Sequence, residues 1–132
     1  MPDLRSLFEF SSIAVIGASE SSGHGSGPWE ALREVGFEGR YFPINPRREQ
    51  VHGFKAYPAV TDVPEEVQAA VIAVPRDAVL PALQGCADKG VRAVTIVSSG
   101  FAEADDTGRA LQAQISKLAR ERNIIVVGPN CF

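Results

Sequence analysis

The sequence predicts an α/β fold in which a parallel sheet is covered by helices on both faces. Three observations lead there. Five short runs rich in β-branched and other apolar residues, over residues 12–17, 39–45, 69–74, 92–97 and 124–127, alternate with stretches of helical spacing. Runs such as Ala14-Val15-Ile16 and Ala70-Val71-Ile72 are apolar at consecutive positions, where a half-buried strand would alternate. The first run ends on Gly17 and leads through a serine- and glycine-rich stretch into a helical segment, the order strand, turn, helix.

Each element has its own signals. Residues 3–9 read as a short opening helix, with Leu4, Leu7 and Phe8 on one side and Asp3 as its cap. After the first strand a helix is expected over 26–35, capped by Ser26 and stopped by Gly36. Pro28 falls in its first turn, where a missing N–H costs little. The second strand ends at Asn45-Pro46, a turn signal. Residues 47–64 are irregular, broken by Pro58 and Pro64, with a brief strand or turn near 54–57. The third strand stops at Pro75. A helix over 77–89 then carries Val79, Leu80, Leu83 and Cys86 at helical spacing, with Asp77 as its cap, and closes at Gly90. The fourth strand runs into Ser98-Ser99-Gly100-Phe101. The longest helix, over 107–122, buries Leu111, Ile115, Leu118 and Ala119, and Glu103, Asp105 and Asp106 favour its positive end. The fifth strand leads to Gly128-Pro129-Asn130-Cys131-Phe132.

Right-handed crossovers leave few topologies for this series. The most economical is a three-layer α/β/α, Rossmann-like arrangement, a five-stranded parallel sheet in the order 3-2-1-4-5. The chain then reverses direction between the first and fourth strands, and the turn after Gly17 faces the turn at 98–100 across one cleft.

Length and composition bound the function. With 132 residues, 45% hydrophobic and 22% charged, the chain suits one domain with a real core. A net charge of -3 with no basic face argues against nucleic acid as a partner. Cys86 and Cys131 form neither a metal spacing nor a disulfide framework, which fits a reducing cytosol. The apolar runs are strand length and residues 1–10 lack a signal-peptide core, so a cytoplasmic chain without a membrane partner is expected.

The turns carry the binding chemistry. A strand-turn-helix junction presents unpaired N–H groups and the positive end of a helix dipole, a seat for phosphate. Gly17-Ala18-Ser19 is not a clean glycine fingerprint, because serine takes the second glycine position and the helix starts late. A flexible connector would carry such glycines too. The second strand ends Ile44-Asn45-Pro46-Arg47-Arg48, with no carboxylate until Glu49. A site for NAD usually places an acidic group there, whereas Arg47 would attract a phosphate on the ribose, as in NADP or coenzyme A. Val74 and Pro75 make an apolar corner able to lie against an adenine ring. His24 and His52 have no recognisable partners in the sequence and read as surface residues. No catalytic constellation and no metal site is expected.

Five segments together carry a resemblance: Ser12-Ile13-Ala14-Val15-Ile16-Gly17-Ala18-Ser19, Tyr41-Phe42-Pro43-Ile44-Asn45-Pro46-Arg47, Ala70-Val71-Ile72-Ala73-Val74-Pro75, Ser99-Gly100-Phe101-Ala102-Glu103 and Gly128-Pro129-Asn130-Cys131. The chain resembles the N-terminal CoA-binding domain of the NDP-forming acyl-CoA synthetases, which include ADP-forming acetyl-CoA synthetase and are related to the succinyl-CoA synthetase α subunit. The resemblance implies coenzyme A, or an acyl-CoA, as ligand. It assigns Gly17, Ala18 and Ser19 to the diphosphate, Arg47 to the ribose phosphate, and Val74 and Pro75 to the adenine, with Asn45 also among the cofactor-binding residues. Ser99, Gly100 and Phe101 would follow the pantetheine arm, and Asn130 would shape the floor where the thiol arrives. It further implies that residues 1–132 are one domain of a larger ligase, whose phosphohistidine and ATP-grasp parts lie downstream or on another subunit. Alone, such a domain binds CoA and catalyses nothing. A regulatory CoA-binding module, free-standing or fused to an acetyltransferase, and an NADP-binding dehydrogenase domain are the alternatives.

Overall fold

The computed structural model describes residues 10–19, 27–34, 36–97 and 106–128. Five short strands form the main sheet: β1 (Ser12–Ile16), β2 (Arg40–Ile44), β5 (Ala69–Ile72), β6 (Ala93–Ile96) and β7 (Ile125–Val127). Three helices connect them: α1 (Gly27–Glu34), α2 (Arg76–Lys89) and α3 (Asp106–Arg122). A small antiparallel hairpin of β3 (Gln50–Val51) and β4 (Phe54–Lys55), then a 3-10 turn over Val60–Asp62, link β2 to β5. The expected opening helix over 3–9 and the cap at Ser26 lie outside the described residues.

Burial on both faces, anticipated from the consecutive apolar runs, is what β1 shows: all five of its residues are buried. Ala14 and Ile16 point with Phe42, Ile44, Ala70, Ile72, Val94 and Ile96 into a core closed by Val79, Leu83 and Cys86 of α2 and Ile115 of α3. Ile13 and Val15 point the other way, with Tyr41 and Ala69, against Trp29 and Leu32 of α1 and Val51 and Ala56 of the linking segment. Strand alternation thus sorts one run of residues into two cores. At the start of β1 the buried Ser12 hydroxyl accepts the Gln68 N–H at 3.0 Å. Because that bond satisfies the hydroxyl, a polar side chain is tolerated there.

The sheet is parallel throughout and five-stranded, as expected, and the layers are α/β/α. Its order is β2-β1-β5-β6-β7, so the main strands, counted along the chain, read 2-1-3-4-5. This differs from 3-2-1-4-5 in one placement: the third main strand pairs with the first, Ile16 opposite Ile72, instead of lying outside the second. The reason is local. The outer edge of β2 is already taken at its end by Tyr57, which bridges Ile44, donates to the Pro43 carbonyl at 3.0 Å and accepts the Asn45 N–H at 2.9 Å. The reversal of direction therefore falls between β1 and β5.

Candidate functional site

Parallel strands end together, and the turns at their carboxyl ends gather along one rim. Gly17 leaves β1 at φ 90°, and a Cβ there would overlap the Ala73 carbonyl oxygen. Only glycine lets the first turn lie this close to the end of β5. The Gly17 and Ala18 N–H groups both donate to the Ile44 carbonyl, at 3.0 and 3.3 Å. The turn after β1 is therefore anchored to the end of β2 by its own amides, and Ala18 is fully buried. Ser19 is partly buried. Both N–H groups are thus engaged within the protein, by one carbonyl of the neighbouring strand.

Asn45 joins the same rim from the second side. Its Nδ2 donates to the Ala18 carbonyl at 2.9 Å, and its Oδ1 accepts the Arg47 N–H at 2.8 Å. The latter bond closes a side-chain turn of the kind asparagine favours. Arg47 and Arg48 follow, both exposed, and neither guanidinium enters an ion pair among the described residues. Around them lies a groove of about 590 Å³, lined by residues 45–50 with Lys55, Ala56 and Pro58. Three cations face one carboxylate, Glu49, in that lining. The volume is that of a small-molecule site.

A second recess of about 240 Å³ adjoins it, lined by Ile16, Ile44, Val60, Pro81, Ala82 and their neighbours. It is as apolar as the groove is charged. Pro58 lines both hollows and stands between them. Val74 packs partly buried against the main core, beside the Gly17 turn, and Pro75 lies exposed ahead of α2. Asp77 does not cap α2: it sits in the first turn, and Pro75 holds the cap position without a side-chain bond. Ser99, Gly100, Phe101 and Asn130 lie outside the described residues. The cleft expected between the turns at 17–19 and 98–100 involves residues outside the described ones; in the sheet itself, β5 stands between β1 and β6.

A profile described as a CoA binding domain matches residues 11–132. The chain belongs to the CoA-binding domain family. This CoA-binding domain is 40% identical over 131 residues to ADP-forming acetate–CoA ligase II of Archaeoglobus fulgidus, covering 98% of the domain and 20% of the ligase. It is 39% identical over 134 residues to the alpha subunit of ADP-forming acetate–CoA ligase I of Pyrococcus furiosus, covering 98% and 29%. In three dimensions it matches the dinucleotide-forming acetyl-coenzyme A synthetase 1 of Ca. Korarchaeum cryptofilum, solved with phosphate and ADP, with a TM-score of 0.91 at 40% identity. That match covers 98% of the domain and 28% of the synthetase chain. The domain thus spans less than a third of each of these relatives.

Two residues of the CoA-binding domain escaped the sequence reading. Lys55 reaches the basic groove because the tight His52-Gly53 turn, with φ of 53° and 81°, folds β4 back on β3. Its ammonium lies 5.2 Å from the centre of the Tyr57 ring, a cation–π contact. His52 is not a surface residue: it is partly buried and stacks on Trp29 at 5.3 Å. A two-residue turn with glycine second is a hairpin signal, and His-Gly was the legible clue. Among the described residues no group of His, Cys, Asp and Glu could hold a metal ion, and no helix is long and apolar enough to cross a membrane.

Proposed function

We propose that this domain holds coenzyme A along the carboxyl rim of the sheet and presents its thiol to an acyl phosphate formed elsewhere in a larger NDP-forming acyl-CoA synthetase. The observation that carries the reading is the pairing of hollows about Pro58 in a member of the CoA-binding family. A charged groove beside an apolar recess suits a phosphorylated ribose joined to a purine. Arg47, backed by Arg48 and Lys55, meets the ribose phosphate through charge-assisted bonds. Val74 and Pro75, which lie outside the lining of that recess, are offered for the base on the family resemblance. The diphosphate falls to the glycine-rich segment after Ser19, because the Gly17 and Ala18 N–H groups serve the Ile44 carbonyl. Ser99, Gly100 and Phe101 guide the pantetheine arm, and Asn130 lies at the thiol end.

Attack of the thiol sulfur on the acyl carbon forms the thioester, releases phosphate and gives up the thiol proton. The acyl phosphate and the nucleotide chemistry belong to the phosphohistidine and ATP-grasp parts of the parent enzyme, so residues 1–132 alone bind without turnover. Calorimetric titration with CoA, dephospho-CoA, NADPH and NADH tests this. CoA binds, dephospho-CoA binds more weakly, and heat from NADPH with none from CoA overturns the reading. Arg47→Glu weakens CoA more than dephospho-CoA, by about 1–3 kcal/mol for a lost charged contact. Equal losses for the two ligands remove Arg47 from the ribose phosphate.

A further inference from the structure

We propose that Asn45 is a positioning residue that fixes the turn after β1 and the Arg47 turn to one another, so that the diphosphate and the ribose phosphate of the ligand are read in register. The proposal rests on the CoA reading above. Asn45 bonds along the rim through its side-chain donor, its side-chain acceptor and its backbone N–H. Its Nδ2 donates to the Ala18 carbonyl at 2.9 Å, its Oδ1 accepts the Arg47 N–H at 2.8 Å, and its own N–H donates to the Tyr57 carbonyl at 2.9 Å. A short amide carries its donor and its acceptor on two separate atoms, where a hydroxyl puts both on one. Aspartate would set lone pairs against the Ala18 carbonyl. Serine would keep an acceptor but fall short of Ala18.

Each side-chain bond sets the aim of a group beyond it. The Ala18 carbonyl and the Ser19 N–H belong to one planar trans peptide and point opposite ways. Holding that carbonyl toward Asn45 turns the Ser19 N–H away from it, at the entry to the glycine run. The bond to the Arg47 N–H fixes the backbone from which the guanidinium departs. The Gly17 and Ala18 amides already place the first turn on β2, so Asn45 adds orientation to a position that is otherwise secured.

The test uses Asn45→Ala and Asn45→Ser, each alone and combined with Arg47→Ala, titrated calorimetrically with CoA and dephospho-CoA, with melting curves alongside. Asn45→Ala lowers CoA affinity about tenfold and shrinks the preference for CoA over dephospho-CoA toward that of Arg47→Ala. Adding Arg47→Ala to it then removes little more, because the two act through one contact. Asn45→Ser, whose hydroxyl still accepts the Arg47 N–H, weakens both ligands several-fold and keeps the preference. An Asn45→Ala domain that melts lower yet keeps the full preference, with losses that add to those of Arg47→Ala, overturns the positioning role. If Asn45→Ala fails to fold, an Asn45→Ser domain with wild-type affinity for both ligands overturns it as well. A wild-type domain blind to CoA overturns instead the ligand reading beneath it.

Discussion

At the scale of the residue, two buried groups resist ionisation and make stability depend on alkaline pH. Burial pushes the Tyr41 phenol from 10.0 up to about 12, and the Cys86 thiol from 9.0 up to about 12. Above the ordinary values the unfolded chain sheds these protons while the folded chain keeps them. The unfolded state then binds fewer protons, so stability falls as pH rises. The contribution is complete below pH 9, erodes first through Cys86 and then through Tyr41, and is gone by about pH 12. Among the described residues the buried Tyr41 hydroxyl has no hydrogen-bond partner. Tyr41→Phe therefore raises stability by about 1 kcal/mol at pH 7 and flattens the decline between pH 10 and 11, read from urea midpoints. An unchanged slope refutes the assignment to Tyr41. Residue identities were legible where one chemistry dominates: Cys86 was expected in the helix core and is wholly buried there. The bonds of the Gly17 and Ala18 amides to Ile44 were not legible, because a sequence shows that a backbone donor exists but not which carbonyl reaches it first.

At the scale of the element, periodicity did most of the work. Each of the three described helices and five main strands begins and ends within one residue of its expected bounds, except that β5 ends two residues before Val74. Pro81 inside α2 did not break it. The residue is exposed, and the apolar stripe of Val79, Leu83 and Cys86 holds the helix on the sheet regardless. The β3–β4 hairpin was only half anticipated, since two-residue strands are too short for a periodic signal. Its place is set by rings: Phe54, 39% exposed, meets Trp29 and Tyr41 edge-on, each at 5.2 Å. Phe54→Ala costs about 1–2 kcal/mol, from lost ring pairing and lost area. The chain's one tryptophan reports the change directly, by a red shift of Trp29 emission in the native state. A variant with unaltered emission and an unaltered urea midpoint would show that these rings do not hold the hairpin.

At the scale of the molecule, the class of fold and the family followed from segments spread over the chain, whereas strand order did not. Order depends on whether the link from β2 to β5 occupies the outer edge of β2, and the one bridging residue there, Tyr57, carries no sequence signal that it pairs with Ile44. Ligand and fold are coupled through the rim. CoA at about 100 times its dissociation constant stabilises the native state by about 2.7 kcal/mol, which raises Tm by about 8–10 °C for a domain of this size. Dephospho-CoA at the same concentration gives a smaller rise, and equal rises would detach the Arg47 groove from recognition. The ring of Pro58, wedged between the charged hollow and the greasy one, has one further consequence. On the proposed reading, severed halves of the cofactor, a free purine and a free sugar phosphate, each pay separately to be immobilised on either flank of that wedge. Supplied together at equal concentration they will still fail to mimic the intact carrier, because the covalent tether supplies the effective molarity that the mixture lacks.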